Sequence, residues 1–424
     1  MRRSRLSTTV RNAAGWARRF ARTAPGVLSA VVAGLVLVSL VAGLVCVNQL
    51  GEKQTRRDSV LRHTEPLADA SQRLYVALSA ADAAASTAFL SGGIESPGVR
   101  TQYRQALADA AAALADATTG ASDVQTREIV AAIAAELPSY TGLVEAARAN
   151  NRQGLPVGSA YLRQASVLMQ HSVLPNAEKL EQNRLGQLRA DQRDISALPL
   201  LSVAVLLVLL IALIAGSVVL LRRTNRRFNL GVTIAAGATV LALLWIGAAS
   251  IAATGVIDTG PAGATVRFET LSRARILAQQ ARTEETMQLI TRSDVDASED
   301  IFTAETTQLQ NQLLTVVAPQ SAAPQAFSSW QAGHRAQLAS NRNNDYNGAV
   351  RQAIGTDADG SAFRFAALDD SLRAELDRTR QQVRDDVDAA GDAFTLSPFG
   401  TLVLLLAAAV AIVVGVWPRL QEFL

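Results

Sequence analysis

Residues 220–228, LLRRTNRRF, decide how this chain is read. They join two apolar runs, 197–221 and 228–257, and neither run contains Asp, Glu, Lys, Arg or His. Two further runs of the same kind occupy 27–47 and 396–417. Each reaches the roughly 20 residues that a membrane-spanning helix needs. A buried core helix of that length would show a polar face, so four spans are expected. The first run is long for a signal-peptide core and no small-x-small cleavage site follows it. Val45 precedes Cys46 where a lipoprotein signal has a small residue, and Arg18-Arg19 reads as a basic flank, so a retained anchor is expected.

Charge orients the spans. Segment 1–26 holds seven Arg and no acid, and the stub 222–227 holds Arg222, Arg223, Arg226 and Arg227. The positive-inside rule puts both, with the tail 418–424, in the cytoplasm. The segments 51–196 and 258–395 then lie outside, with 15 basic against 16 acidic residues and 13 against 20. The formal net charge of +3 is thus a record of topology, and it gives no support to nucleic-acid binding. The expected order is a basic arm 1–26, a span 27–50, an outer domain 51–196, a span 197–221, the loop 222–227, a span 228–257, an outer domain 258–395, a span 396–417 and a tail 418–424. The single Cys leaves the outer domains to be held by packing alone.

The outer segments read as helices. Val60, Leu67, Leu74, Ala81 and Ala88 recur every seventh residue, with Ala70, Ala77 and Ala84 as a second row, the pattern of a long helix in a bundle. SGGIESPG at 91–98, TTGASD at 118–123 and NNRQGLPVGS at 150–159 break it, and a last helix bends near Pro175. The second segment follows the same plan. Leu271, Ala274, Ala278 and Ala281 begin its first stripe; 292–300 and Pro319–Pro324 interrupt it; Leu372, Leu376, Val383 and Val387 mark the apolar face of its last helix. Tyr140, Asn151-Arg152 and Arg163-Gln164-Ala165 match Trp330, Asn341-Arg342 and Arg351-Gln352-Ala353 in order. The expected fold class is all-α: four transmembrane helices with two extracytoplasmic four-helix bundles related by internal duplication. At 1.5 Å per residue, a first helix of about 40 residues rises about 60 Å, which carries the breaks to the distal tip. Ser91, Gly92, Gly93, Asn151, Arg152, Asn341 and Arg342 are the candidate partner contacts there.

Chemistry is sparse. The uncharged spans disfavour a transporter, since ion and substrate paths need intramembrane charge or broken helices. No nucleophile–base pattern, phosphate loop or Cys/His metal spacing occurs, so no enzymatic activity and no cofactor are expected. His63 falls on the heptad seam and reads as a packed residue. Asp294, Asp296, Ser298, Asp300 and Glu305 occupy positions 1, 3, 5, 7 and 12 of an EF-hand-like calcium loop, but Glu299 replaces its turn Gly. A capped, acidic helix start uses the same letters. TDADGS at 356–361 reads as a turn. Arg152, Arg163, Arg342 and Arg351 suit helix ends or carboxylate partners.

The layout is similar to the sensory half of a bacterial chemoreceptor dimer, supplied here by one chain. It resembles more closely the actinobacterial four-pass GlnX family, through 63–93, VLPNAEKLEQ at 173–182 and RFETLSRARILAQQARTEE at 267–285. The resemblance implies a signalling link between an extracytoplasmic amino-acid-binding lipoprotein and the cytoplasmic protein kinase G. A structural envelope scaffold and an accessory transporter subunit are the alternatives.

Overall fold

The computed structural model describes residues 24–92, 97–121, 123–224, 229–257, 263–292, 295–317, 321–355 and 357–421. Fourteen α-helices account for nearly all of them, and no strand occurs among the described residues. The first half comprises α1 (Ala24–Ser59), α2 (Glu65–Leu90), α3 (Pro97–Thr119), α4 (Val124–Arg152), α5 (Val157–Leu168), α6 (Leu174–Ser196) and α7 (Leu200–Thr224). The second comprises α8 (Leu230–Val256), α9 (Ala264–Thr291), α10 (Val295–Val316), α11 (Ala322–Arg342), α12 (Tyr346–Ile354), α13 (Ser361–Asp392) and α14 (Ser397–Gln421).

Single π-helical turns, Val60–Thr64 and Met169–Val173, join α1 to α2 and α5 to α6. Each is followed at the same distance by a proline, Pro66 and Pro175. A helical proline lacks the N–H that would bond the carbonyl four residues back, and its ring crowds that carbonyl. Those carbonyls belong to Arg62 and His171, inside the two turns, and a π turn accommodates the displaced group. The bend expected at Pro175 is this turn. The turn near Pro66 also corrects the expectation for His63. The wider turn keeps Val60 and Thr64 buried and leaves His63 exposed, off the seam.

Two compact units result. One contains 1–58, 192–257 and 387–424. In it α8 packs on α14 through glycine: a Cβ on Gly231 would overlap the Ala411 carbonyl, and Gly415 lies in the same crossing. Gly216 meets Leu35 of α1, and Gly43 meets Leu402 and Leu405 of α14. Outward faces carry exposed Leu37, Leu44, Ile211, Leu230, Ile251 and Val410. A monomer in water rarely shows so much contiguous apolar surface; a lipid setting suits it. At one end, Lys53 Nζ donates to the Ile195 and Ala197 carbonyls at the end of α6, while Arg56 pairs with Asp194 and Arg57 with Asp388. Among the described residues, five helical segments are long and apolar enough to cross a membrane: Gly26–Leu90, Val124–Arg152, Val157–Arg222, Leu230–Val256 and Ser361–Pro418.

The other unit contains 59–191 and 258–386 together. The heptad residues behave as their spacing predicts: Val60, Leu67, Leu74, Ala81 and Ala88 are buried, and so are Leu271, Ala274, Ala278 and Ala281. Alanines let α2 approach α3 closely, with Ala106, Ala110, Ala113 and Ala117 filling the seam. Two separate bundles were expected from the sequence. Instead α2 packs along α9, Ile276 of α9 enters the core of the first segment, and Gln280 donates to the Tyr75 hydroxyl at 3.0 Å.

Candidate functional site

α2 and α9 are buried on almost every side, and each carries a carboxylate with no exposed surface. Asp82 of α2 accepts from the Tyr140 hydroxyl of α4 at 3.3 Å and the Ser166 hydroxyl of α5 at 2.9 Å; the Gln170 amide adds a third bond at 3.3 Å. Burial pushes the Asp82 carboxyl up, against the pull of these donors. Burial also drives the Tyr140 phenol well above its ordinary range, with the Asp82 charge adding to it. The phenol therefore stays a donor, which is what the buried carboxylate requires.

Glu285 of α9 has the corresponding arrangement with more charge. Trp330 Nε1 of α11 donates to it at 3.4 Å, and the Ser361 hydroxyl at the start of α13 donates as well. Arg282 pairs with it from one turn earlier on α9, and donates its other arm to the Ala353 carbonyl at 2.6 Å. His334 of α11 lies 3.1 Å away through Nδ1, with Nε2 2.9 Å from Glu299 of α10. Its ring stacks on Phe302, with centroids 3.6 Å apart. Burial opposes charge on Glu285, but Arg282, His334 and Ser361 outweigh it and hold the carboxyl at about 2. Burial likewise lowers His334, and bonding to Glu285 and Glu299 outweighs it, raising the imidazole to about 9. Glu285 and imidazolium His334 are both charged at neutral pH. Both imidazole nitrogens face carboxylates, Nδ1 towards Glu285 and Nε2 towards Glu299.

The sequence expectations did not single out either cluster, although the sequence carries signs of both. Tyr140 and Trp330, matched by spacing, both point their polar edge at the carboxylate of the leading helix. Glu285 continues the stripe 271, 274, 278, 281 by one step, which was a readable sign of a buried acid. Asp82 gave the weaker sign of following Tyr75 and Leu78 on a second apolar row.

The break residues come together at the helix ends. Asn151 Nδ2 donates to the Phe89 carbonyl at 2.9 Å, and the Ser91 hydroxyl donates to that of Ala88 at 2.7 Å. Gly92 has φ +87°, a left-handed conformation that glycine tolerates best. Arg152 is exposed, and Gly93 lies outside the described residues. In the second segment Tyr346 donates to the Leu289 carbonyl at 3.0 Å, the Asn341 carbonyl accepts from the Asn344 amide, and exposed Arg342 pairs with Asp296 at 2.9 Å. Leu90 packs against Leu289, Ala349 and Ala353, so the ends of α2 and α9 share one apolar cluster. Arg163 and Arg351 are solvent-exposed helix residues.

The calcium-loop residues are not in a loop. Asp296, Ser298, Asp300 and Glu305 lie within α10, Ser298 is buried, and Asp294 lies outside the described residues. A calcium loop needs an open chain that wraps the ion, whereas an acid in a first helical turn is favoured by the helix dipole. Glu305 is held near 7 by burial, with the Glu284 charge adding. Among the described residues no His, Cys, Asp and Glu group is arranged to hold a metal. Arg222 is exposed on α7; of the rest of the stub, Arg226 and Arg227 lie outside the described residues, as does the Arg223 side chain.

Residues 56–193 match the model of the actinobacterial sensor domain. The matched stretch runs from just before the first π turn to the end region of α6, and it supports a sensor protein. No curated protein and no solved structure matches the chain.

Proposed function

We propose that the chain is a four-pass membrane sensor and adaptor, relaying an extracellular amino-acid signal from a solute-binding lipoprotein to a cytoplasmic Ser/Thr kinase. The match of 56–193 to a sensor domain carries this reading. The spans are 27–50, 197–221, 228–257 and 396–417, with both outer segments extracytoplasmic and both termini inside. Val124–Arg152, the fifth helix of sufficient length, carries Arg127, Glu128, Glu136, Glu145 and Arg148 and buries Ile133, Tyr140 and Val144 in the outer core, which suits a bundle helix. Internal duplication is supported by the paired contacts Asp82–Tyr140 and Glu285–Trp330, which draw on corresponding helices of each half, α2 with α4 and α9 with α11.

In this reading the loaded lipoprotein docks on the helix ends around Asn151, Arg152, Asn341 and Arg342. Small shifts of the packed helices then pass through the spans to the stub. Two measurements test it. In a Cys46→Ser background, single cysteines at Gln187 and Asn225 are challenged with a membrane-impermeant maleimide; only the first is expected to label. The protein is then purified from membranes with and without added amino acids. An amino-acid-dependent lipoprotein partner, and loss of the kinase response on deletion, are expected. A constant set of wall proteins would sink the relay and favour a scaffold.

A further inference from the structure

A groove of about 580 Å³ opens in the outer unit between α2 and α3 of the first segment and α9 and α13 of the second. That size lies in the range of small-molecule sites. Its apolar lining comes from Val76, Ala77, Phe268 and Leu376. Its charged lining is balanced: Arg73, Arg275, Arg373 and Arg380 against Asp69, Asp109, Asp369 and Asp377.

Most of these charges are satisfied internally. Arg275 makes a two-pronged pair with Asp369 at 2.7 and 2.9 Å. Asp69 is held by Arg73 at 2.8 Å and by Arg380 at 3.2 Å. Three groups are left over. Arg373 has one marginal contact, 3.4 Å to Asp369. Asp377 has no ion-pair partner among the described residues, although it lies one turn from Arg373 on the same helix. Gln72 lines the groove at 4 % exposure, and its Nε2 donor has no hydrogen-bond partner. A buried amide donor without an acceptor costs about 1–3 kcal/mol, so such a group in a cavity wall signals an absent acceptor.

We infer that this groove is a direct binding site for a small zwitterion of the amino-acid class. The Arg373 guanidinium takes its carboxylate, with the Gln72 amide turning from its buried position to add a second donor; Asp377 takes its ammonium group, and the apolar lining takes its side chain. A simple anion would meet Asp377 unpaired, and a simple cation would leave Gln72 and Arg373 unanswered. Because the walls come from both outer segments, an occupant bridges them, and the sensor would read its ligand itself as well as through a partner. The inference rests on the proposed function only for its choice of probes.

The full chain in lipid nanodiscs, with no partner present, is titrated with each standard L-amino acid while its thermal unfolding midpoint is followed. At least one is expected to raise the midpoint by about 3 °C or more at saturation. Arg373→Gln and Asp377→Asn, both exposed and tolerant positions, should each weaken that ligand by about tenfold or more, and Gln72→Leu should do the same. The N-acetyl and α-amide derivatives of the binder should produce no shift. If no amino acid moves the midpoint, or if the shift survives Arg373→Gln and Asp377→Asn, the site is wrong. If the N-acetyl form binds as well as its parent, the zwitterion assignment is overturned. A null titration leaves the lipoprotein relay standing, whereas tight binding without any kinase response would defeat the relay and keep the groove.

Discussion

Glu285 is a carboxylate with no exposed surface, kept ionised by Arg282, His334, Ser361 and Trp330. Removing one partner from such a cluster strands the others, at about 3–5 kcal/mol. Glu285→Ala in the full chain should therefore lower the unfolding midpoint sharply, and Glu285→Gln should lower it less because the hydrogen bonds partly survive. Equal midpoints for wild type and Glu285→Ala would show that the cluster contributes nothing. The same residues set a pH dependence. His334 is raised from 6.5 to about 9, so its contribution is complete below 6.5 and is lost as pH climbs through 9. Glu285 is lowered from 4.5 to about 2, so its contribution is complete above 4.5 and is lost as pH falls towards 2. Between about 4.5 and 6.5 both are in place. Glu305 and Glu181, each raised to about 7 with burial as the leading cause, add to the alkaline loss, since the folded state prefers their protonated forms. Midpoints measured from pH 5 to 9 should fall, and His334→Gln should flatten the part between 6.5 and 9. An unchanged slope would contradict the assigned imidazolium. The position of Glu285 could be read from its stripe. His334 could not, because neither Glu285 nor Glu299 is near it in sequence.

At the scale of elements, close approach is set by what is missing from a side chain. Gly231 and Gly415 let α8 and α14 cross with backbone against backbone, with no room for a Cβ at Gly231. Gly231→Leu should force the pair apart and lower the midpoint, with overpacking costs of about 1–3 kcal/mol or more. Gly237→Leu serves as a control, because nothing lies within 4 Å of its Cβ position. Similar loss in both variants would mean that the α8–α14 crossing is not specific. Helix identity was legible here. Four apolar runs, the heptads and the Gly and Pro breaks mark most elements to within a few residues. One feature was misread and one pattern carried two readings, both for physical reasons. Pro66 reshapes the turn before it, which takes His63 off a seam that strict seven-residue counting assigns to it. The acids of 296–300 look like ion ligands in letters, but early acids also stabilise a helix start, and the helix is what forms.

At the scale of the whole molecule, 59–191 and 258–386 make one unit. Glu65 accepts from Arg380 and Arg384, Tyr75 from Gln280, and Ile276 completes the first segment's core. A soluble fragment 56–193 is therefore expected to unfold without cooperativity. Co-expression with 258–386 should restore a sharp transition, and a cooperative transition of 56–193 alone would overturn the shared core. The sequence by itself determined helices, breaks, apolar runs and the sign asymmetry of charge, because these depend on periodicity, backbone restriction and transfer from water, all local properties. Only the tertiary structure decided that 59–191 and 258–386 share a core, that Asp82 and Glu285 each sit in a buried polar cluster, and that α2, α3, α9 and α13 line a groove with an unanswered Gln72. Those facts depend on which stripes meet across 200 residues of chain, and a helix with an apolar stripe records that it must be covered without recording by what.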